Sequence, residues 1–134
     1  MNFNEFSKPS AQEHNYFYGQ QSTSVPFYRI PKALFTDPAY KDLSIGAKVL
    51  YGLLLDRMNL SAKNGWFDRW GRVYIIFTVA EIMSALDCEK QKSLKLLDEL
   101  EKKGRLIKRR HQGKGRPNLI YVKNFLKDSS ESKF

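Results

Sequence analysis

The stretch Lys102 to Val122, KKGRLIKRRHQGKGRPNLIYV, limits what this chain can fold into more than any other segment. Eight of its first fifteen residues are Lys or Arg and none is acidic. A loose basic tail has no use for Leu106, Ile107, Leu119, Ile120 and Val122, whereas a β-hairpin does. RLIKRR and NLIYVKNF have strand composition, and HQGKGRP between them has the glycines and proline of a turn. On this reading Leu106, Ile107, Ile120 and Val122 face inward, while Arg109, Arg110, Lys114 and Arg116 project from the rim. Gly113 and Gly115 let the tip approach a partner closely.

The preceding segments place that hairpin in a larger arrangement. FYRIP, from Phe27, has strand composition, and Pro31 opens PKALF as a short helical turn. Ser44 is the expected N-cap of a long helix in which Ala47, Leu50, Tyr51, Leu54 and Met58 recur at helical spacing, with Leu53 widening the apolar face. Asn64–Gly65 is a turn, Arg69–Gly71 a bend, and Val73 to Phe77 a strand. TVAEIMSALD starts with Thr78 three residues before Glu81, the capping-box pattern, and lasts about two turns. Asp87–Cys88 breaks it. A second helix is expected from about Glu89 to Lys103, with Ser93, Leu96, Leu97 and Leu100 on one face and Gln91, Lys92 and Lys95 on the other. Its three leucines make no heptad series and are core, not a zipper. Gly104 stands where a left-handed glycine commonly ends a helix.

Helix, strand, helix, helix, strand, basic hairpin, strand is the order of a winged helix-turn-helix, an α+β fold that is mainly α. The second helix of such a pair fits the DNA major groove, with one face on base edges and the other on the core, and the hairpin wing tracks the phosphate backbone. The candidate contacts with double-stranded DNA are Thr78, at the start of the first helix of the pair, Lys90, Gln91, Lys92 and Lys95 on the second, and Arg109, Arg110, His111, Lys114 and Arg116 on the wing. Gln91 is the best base reader by type, because its amide pairs bidentately with adenine; the lysines suit phosphate or guanine. The folded domain is expected over residues 25–126. Residues 1–24 read as a polar arm whose rings (Phe3, Phe6, Tyr16, Phe17, Tyr18) suit docking on a neighbouring protomer, and 127–134 as the start of a linker.

Charge distribution agrees with a polyanionic partner. The net charge is +9, and residues 71–134, with fifteen basic and eight acidic side chains, carry +7 of it. Cys88 is the only cysteine, which excludes an intramolecular disulfide and fits a reducing cytoplasm. No apolar run reaches the roughly 18–20 residues of a membrane span, and the N-terminus lacks the order of a signal peptide. His14, His111 and Cys88 have no metal-ligand spacing, and GKGRP lacks the GxxxxGK[ST] of a nucleotide loop, so neither metal nor cofactor is expected. Asp37, Asp42, Asp56 and Asp68 form no evident catalytic pair, and no enzymatic set is visible. Trp66 and Trp70 read as core or a packing lid.

Three blocks carry a resemblance to a known family: FYRIPKALFTDPAYKDLSIGAKVLYGLLLDRM, NGWFDRWGRVYIIFTVAEIMSALD, and SLKLLDELEKKG followed by GRPNLIYVKNF. Over about residues 25–125 they closely resemble the N-terminal domain of RepA-type replication initiators of low-copy plasmids of Gram-positive bacteria, staphylococcal multiresistance plasmids among them. The resemblance implies recognition of repeated sites in a plasmid origin, usually as a homodimer. It also implies a further C-terminal domain that engages host replication proteins, so that this chain is expected to be the DNA-binding domain alone. The sequence departs from the family's commoner GLIxR pattern at GRLIKRR, where Arg105 adds charge at the helix–strand joint. A transcriptional repressor of the same fold, binding a promoter operator, is the alternative among duplex binders. A membrane- or RNA-binding basic protein is the alternative outside them, although an RNA-binding sheet would show solvent-facing aromatics and the strand aromatics here read as inward.

Overall fold

The computed structural model describes residues 16–19 and 25–124. Phe3, Phe6, most of the N-terminal arm and the expected linker 127–134 lie outside the described residues. The elements run α1 (Ala33–Thr36), a 3-10 turn (Pro38–Tyr40), α2 (Ile45–Lys63), β1 (Ile75–Ile76), α3 (Val79–Leu86), α4 (Lys90–Asp98, prolonged as a π-helical turn Glu99–Lys103), β2 (Ile107–Arg110) and β3 (Leu119–Val122). The three strands form one antiparallel sheet in the order β1-β3-β2. The architecture is a winged helix-turn-helix, with α3 and α4 as the helix pair and β2–β3 as the wing.

Local chemistry explains most of the boundaries. Ser44 caps α2, its Oγ accepting from Ala47 N at 3.2 Å. The expected capping box opens α3: Thr78 Oγ1 accepts from Glu81 N (3.1 Å) and Thr78 N donates to Glu81 Oε1 (3.1 Å). α3 stops at Asp87, which adopts the left-handed conformation (φ 51°) and starts the turn into α4. Ala47, Leu50, Tyr51, Leu53 and Leu54 of α2 close over Ile82 of α3, Leu96, Leu97 and Leu100 of the second helix, and Leu106, Ile107 and Ile120 of the wing. Met58 and Val122 pack at the edge of the same core.

Several expectations are corrected. FYRIP forms no strand. The strand expected over Val73–Phe77 shortens to Ile75–Ile76, because Val73 bridges back to Phe67 in a separate small hairpin. That hairpin holds Trp66 (41% exposed) and Trp70 (59% exposed) outside the core. The long helix is regular only to Asp98, after which its backbone widens. Gly104 has an ordinary right-handed φ of −82°, and the left-handed position is the next residue, Arg105 (φ 54°). Gly104 serves space instead: a β-carbon there would sit 3.2 Å from Leu43 Cδ1 and 3.4 Å from the Leu100 carbonyl oxygen. Leu106 N then donates to Leu100 O at 2.8 Å, closing the widened helix end.

Candidate nucleic-acid interface

On α4 the helical period separates two roles. Ser93, Leu96 and Leu97 are buried, and Lys90, Gln91, Lys92 and Lys95 are exposed, as the sequence implies. Among the described residues none of these lysines has a carboxylate within ion-pair distance. The helix starts at Glu89 without a side-chain cap, so its first N–H groups are not taken up by a capping side chain.

The wing is registered by Ile107 opposite Val122, Lys108 opposite Tyr121, Arg109 opposite Ile120 and Arg110 opposite Leu119. Strand alternation therefore puts Arg109 on the inner face with Ile107, and the expectation that it projects from the rim is corrected. Its side chain is 19% exposed and turns toward the end of the second helix. Arg109 Nε donates to Glu101 Oε1 at 2.6 Å, its Nη2 donates to Asp98 Oδ1, and its backbone N donates to Glu101 Oε2 at 3.3 Å. The π-helical turn contributes to this latch by carrying Glu101, while Glu99 in the same turn accepts from Ser44 N (2.8 Å) and Ser44 Oγ (2.9 Å). The Arg109 hydrogen bond holds the Asp98 carboxyl below its usual range. Burial pushes Glu101 the other way, but hydrogen bonds from Arg109 outweigh it and the net shift is downward. Arg109 thus pairs with two carboxylates beside the basic face, where Lys102 lies 4.0 Å from Asp98 and Lys108 3.9 Å from Glu101, and fastens the wing to the helix.

The wing tip is built differently. Arg110, His111, Lys114 and Arg116 are exposed. Gly113 (φ 114°) and Gly115 (φ 81°) supply the left-handed turns, and Gln112 Nε2 donates across the loop to Pro117 O at 2.8 Å. Among the described residues, Arg110, Lys114 and Arg116 have no carboxylate within ion-pair distance. Thr78, Val79, Leu94, Arg116 and Ile120 line one cleft of about 280 Å³, so the start of α3, the flank of α4 and the wing border a single concave surface. Thr78 lies on that surface, but its hydroxyl is committed to the capping box, donating to Glu81 Oε1 at 3.2 Å while accepting from Glu81 N.

Two residues escaped the sequence reading. The inward position of Arg109 was signalled by its i+2 spacing from Ile107, masked by the neighbouring apolar Leu106. Leu94 was signalled by standing off the Leu96–Leu97–Leu100 face, and it is 37% exposed in the middle of the basic helix. On the outer face of the sheet, Tyr121 donates to Asp68 Oδ2 (3.0 Å) and lies under the Arg72 guanidinium (4.9 Å), so its ring is no open stacking platform. Among the described residues no helix is long and apolar enough to cross a membrane.

The family model for the N-terminus of replication initiator protein A (RepA) matches residues 26–133. A 41 kDa protein of Lactobacillus helveticus is 30% identical over 74 residues, which are 55% of this chain and 21% of that protein. The chain therefore spans about a fifth of that relative's length. Three solved structures share the fold: an N-terminal domain of a DNA-binding protein (34% identity, TM-score 0.69, 90% of this chain and 92% of that one), a Rep–DNA complex (36%, 0.68, 89% and 92%) and an MDR initiator (37%, 0.66, 89% and 93%).

Proposed function

Because the chain belongs to the family of the replication initiator protein A N-terminus, we propose that it is an origin-recognition module that binds duplex DNA at repeated sites of a plasmid replication origin. The observation that carries this reading is the concave surface shared by α4 and the wing. Arg116 lines it, and Lys90 and Lys95 stand beside Leu94 on the helix; none of these has a carboxylate within ion-pair distance among the described residues, and the adjacent Asp98 and Glu101 are paired with Arg109, Lys102 and Lys108. Gln91 on α4 reads base edges, Lys90, Lys92 and Lys95 hold phosphates or guanine, and Arg110, Lys114 and Arg116 hold the neighbouring backbone. His111 adds a hydrogen-bonding group at the tip. Thr78 acts there through its methyl, since its hydroxyl and its backbone N–H are both committed to the capping box.

Selection of duplexes from a random pool, followed by a search of the plasmid for the selected motif, tests the reading directly. Replacing Lys92 and Lys95 together by Ala should weaken binding of that duplex strongly, lower the log–log salt slope by about 0.9 per lost phosphate contact, and leave Tm nearly unchanged. Unaltered affinity at moderate salt would remove α4 from the interface. Homodimer formation is part of the same proposal, supported by the exposure of Tyr16, Phe17, Phe27 and Tyr28. Sedimentation of the chain against one starting at Val25 checks the contribution of the arm, and equal monomeric masses would end it. The proposal extends to host replication proteins engaged through a further domain of the full-length initiator, a contact that a binding assay with the full-length protein checks.

A further inference from the structure

The basic face of α4 carries one residue that a phosphate-binding surface does not need. Leu94 is 37% exposed, one helical turn beyond Lys90 and Gln91 and next to Lys95. It borders the cleft between α4 and the wing, whose apolar lining includes Val79, Leu97 and Ile120 and whose rim includes Arg116. An apolar spot beside Lys90, Lys95 and Arg116, which have no carboxylate within ion-pair distance among the described residues, is matched by a partner that offers phosphates around a small apolar group. In the major groove of unmodified DNA the only such group is the 5-methyl of thymine. Leu94 lies three residues beyond Gln91, roughly 4.5 Å along the helix axis, comparable to the spacing of one base pair. The amide and the leucine therefore address neighbouring base pairs.

We infer that Leu94 is a specificity-determining residue that reads the methyl group of one thymine in the bound site. This rests on the duplex-binding reading above, and adds to it a position at which the chain distinguishes thymine from the other bases without a hydrogen bond. Burying one methyl group against Leu94 is worth about a fourfold gain in affinity.

The test uses the duplex selected from the random pool, with each thymine of the core replaced singly by deoxyuridine, which removes the methyl and leaves every hydrogen-bonding group in place. The wild-type chain should lose about fourfold in affinity at one of these positions. Leu94→Ala should bind the parent duplex as weakly as wild type binds that deoxyuridine duplex, and should lose nothing further on it. Leu94→Met, which keeps an apolar side chain of similar volume, should retain the discrimination. Lys92→Ala should weaken both duplexes equally, since a phosphate contact is blind to the methyl. Equal wild-type affinity for all the deoxyuridine duplexes, a selected core without thymine, or undiminished discrimination in Leu94→Ala would each overturn the inference while leaving duplex binding intact. Failure to select any duplex would overturn the functional reading, and this inference with it.

Discussion

The chain contains two hairpins rich in arginine, and they use it in opposite ways. In the hairpin spanning residues 66–74 Arg72 is paired internally with Asp68, and Arg69 lies on the Trp70 ring. Asp68 accepts from Trp70 N and Arg72 N (both 2.9 Å), from Arg72 Nε (2.8 Å) and from Tyr121 Oη (3.0 Å). Arg69 and Arg72 lie against the Trp70 ring, at 4.1 and 4.8 Å from its centroid. In the wing only the base is tied, through Arg109 and Lys108, and the tip cations face solvent with no carboxylate in ion-pair distance among the described residues. A count of Lys and Arg scores both hairpins as basic patches. The second presents more charge that is free to displace counterions from DNA, three tip cations against Arg69 alone, because a guanidinium already paired with a carboxylate, like that of Arg72, adds little field beyond it.

The largest effect separates the two hairpins. Replacing Arg110, Lys114 and Arg116 together by Ala should reduce affinity for the selected duplex by at least about a hundredfold near physiological salt and lower the salt slope by about three, at nearly constant Tm. Arg69 and Arg72 replaced by Ala should lower Tm and leave the salt slope within about one unit of wild type. A reversed result would show that the 66–74 hairpin, not the wing, meets the phosphates. The wing's mode of contact is then sharpened by competition between duplexes with A·T and G·C flanks. Loss of an A·T preference in Arg110→Ala or Arg116→Ala marks insertion into a narrow minor groove, and absence of any preference in the wild type marks a phosphate clamp.

Arg109→Ala should act on both stability and binding. It leaves Asp98 and Glu101 only their longer contacts to Lys102 and Lys108 and unfastens the wing, costing about 1–3 kcal/mol and lowering Tm by an amount on the order of 10 °C. Affinity should fall with it, and adding Asp98→Asn and Glu101→Gln should restore part of the affinity by removing the exposed negative charge. No change in Tm would show that the latch is not formed in solution.

Arg105→Gly should move stability the other way. A non-glycine residue in the left-handed region costs about 1 kcal/mol, so the substitution should raise Tm by roughly 4–8 °C, measured by thermal melting, provided the joint keeps its conformation. An unchanged or lower Tm would mean that the Arg105 side chain contributes contacts that offset the strain.

The smallest effect is the pH dependence at Asp68. Burial pushes its carboxyl upward, but hydrogen bonds from the Arg72 backbone and side chain, the Trp70 backbone and Tyr121 outweigh this and hold it at about 2, against 3.8 ordinarily. A carboxyl depressed in the folded state contributes stability that is fully present above about pH 4 and is lost as pH falls toward 2. The Tm difference between wild type and Asp68→Asn should therefore be constant from pH 7 to about pH 5 and shrink below pH 4. A difference that persists at pH 2 would place the stabilisation elsewhere.

The elements that the chain determined by itself are those set by neighbours in sequence. The Ser44 cap needs Ala47, the Thr78–Glu81 box needs four consecutive residues, and the buried face of α4 needs only the 3.6 period of Ser93, Leu96, Leu97 and Leu100. The glycines of the wing tip belong here too, since a positive φ is a local demand. What only the tertiary structure decided is where polar and charged groups distant in sequence find their partners. Arg109 meets Asp98 and Glu101 across a helix–strand joint, Asp68 meets Tyr121 across 53 residues, and Ser44 meets Glu99 across 55. At such separations electrostatic pairing acts through space, and no period along the chain encodes it. The sequence could therefore place the basic hairpin and helix, while the fold alone decided which of their cations remain available to a partner.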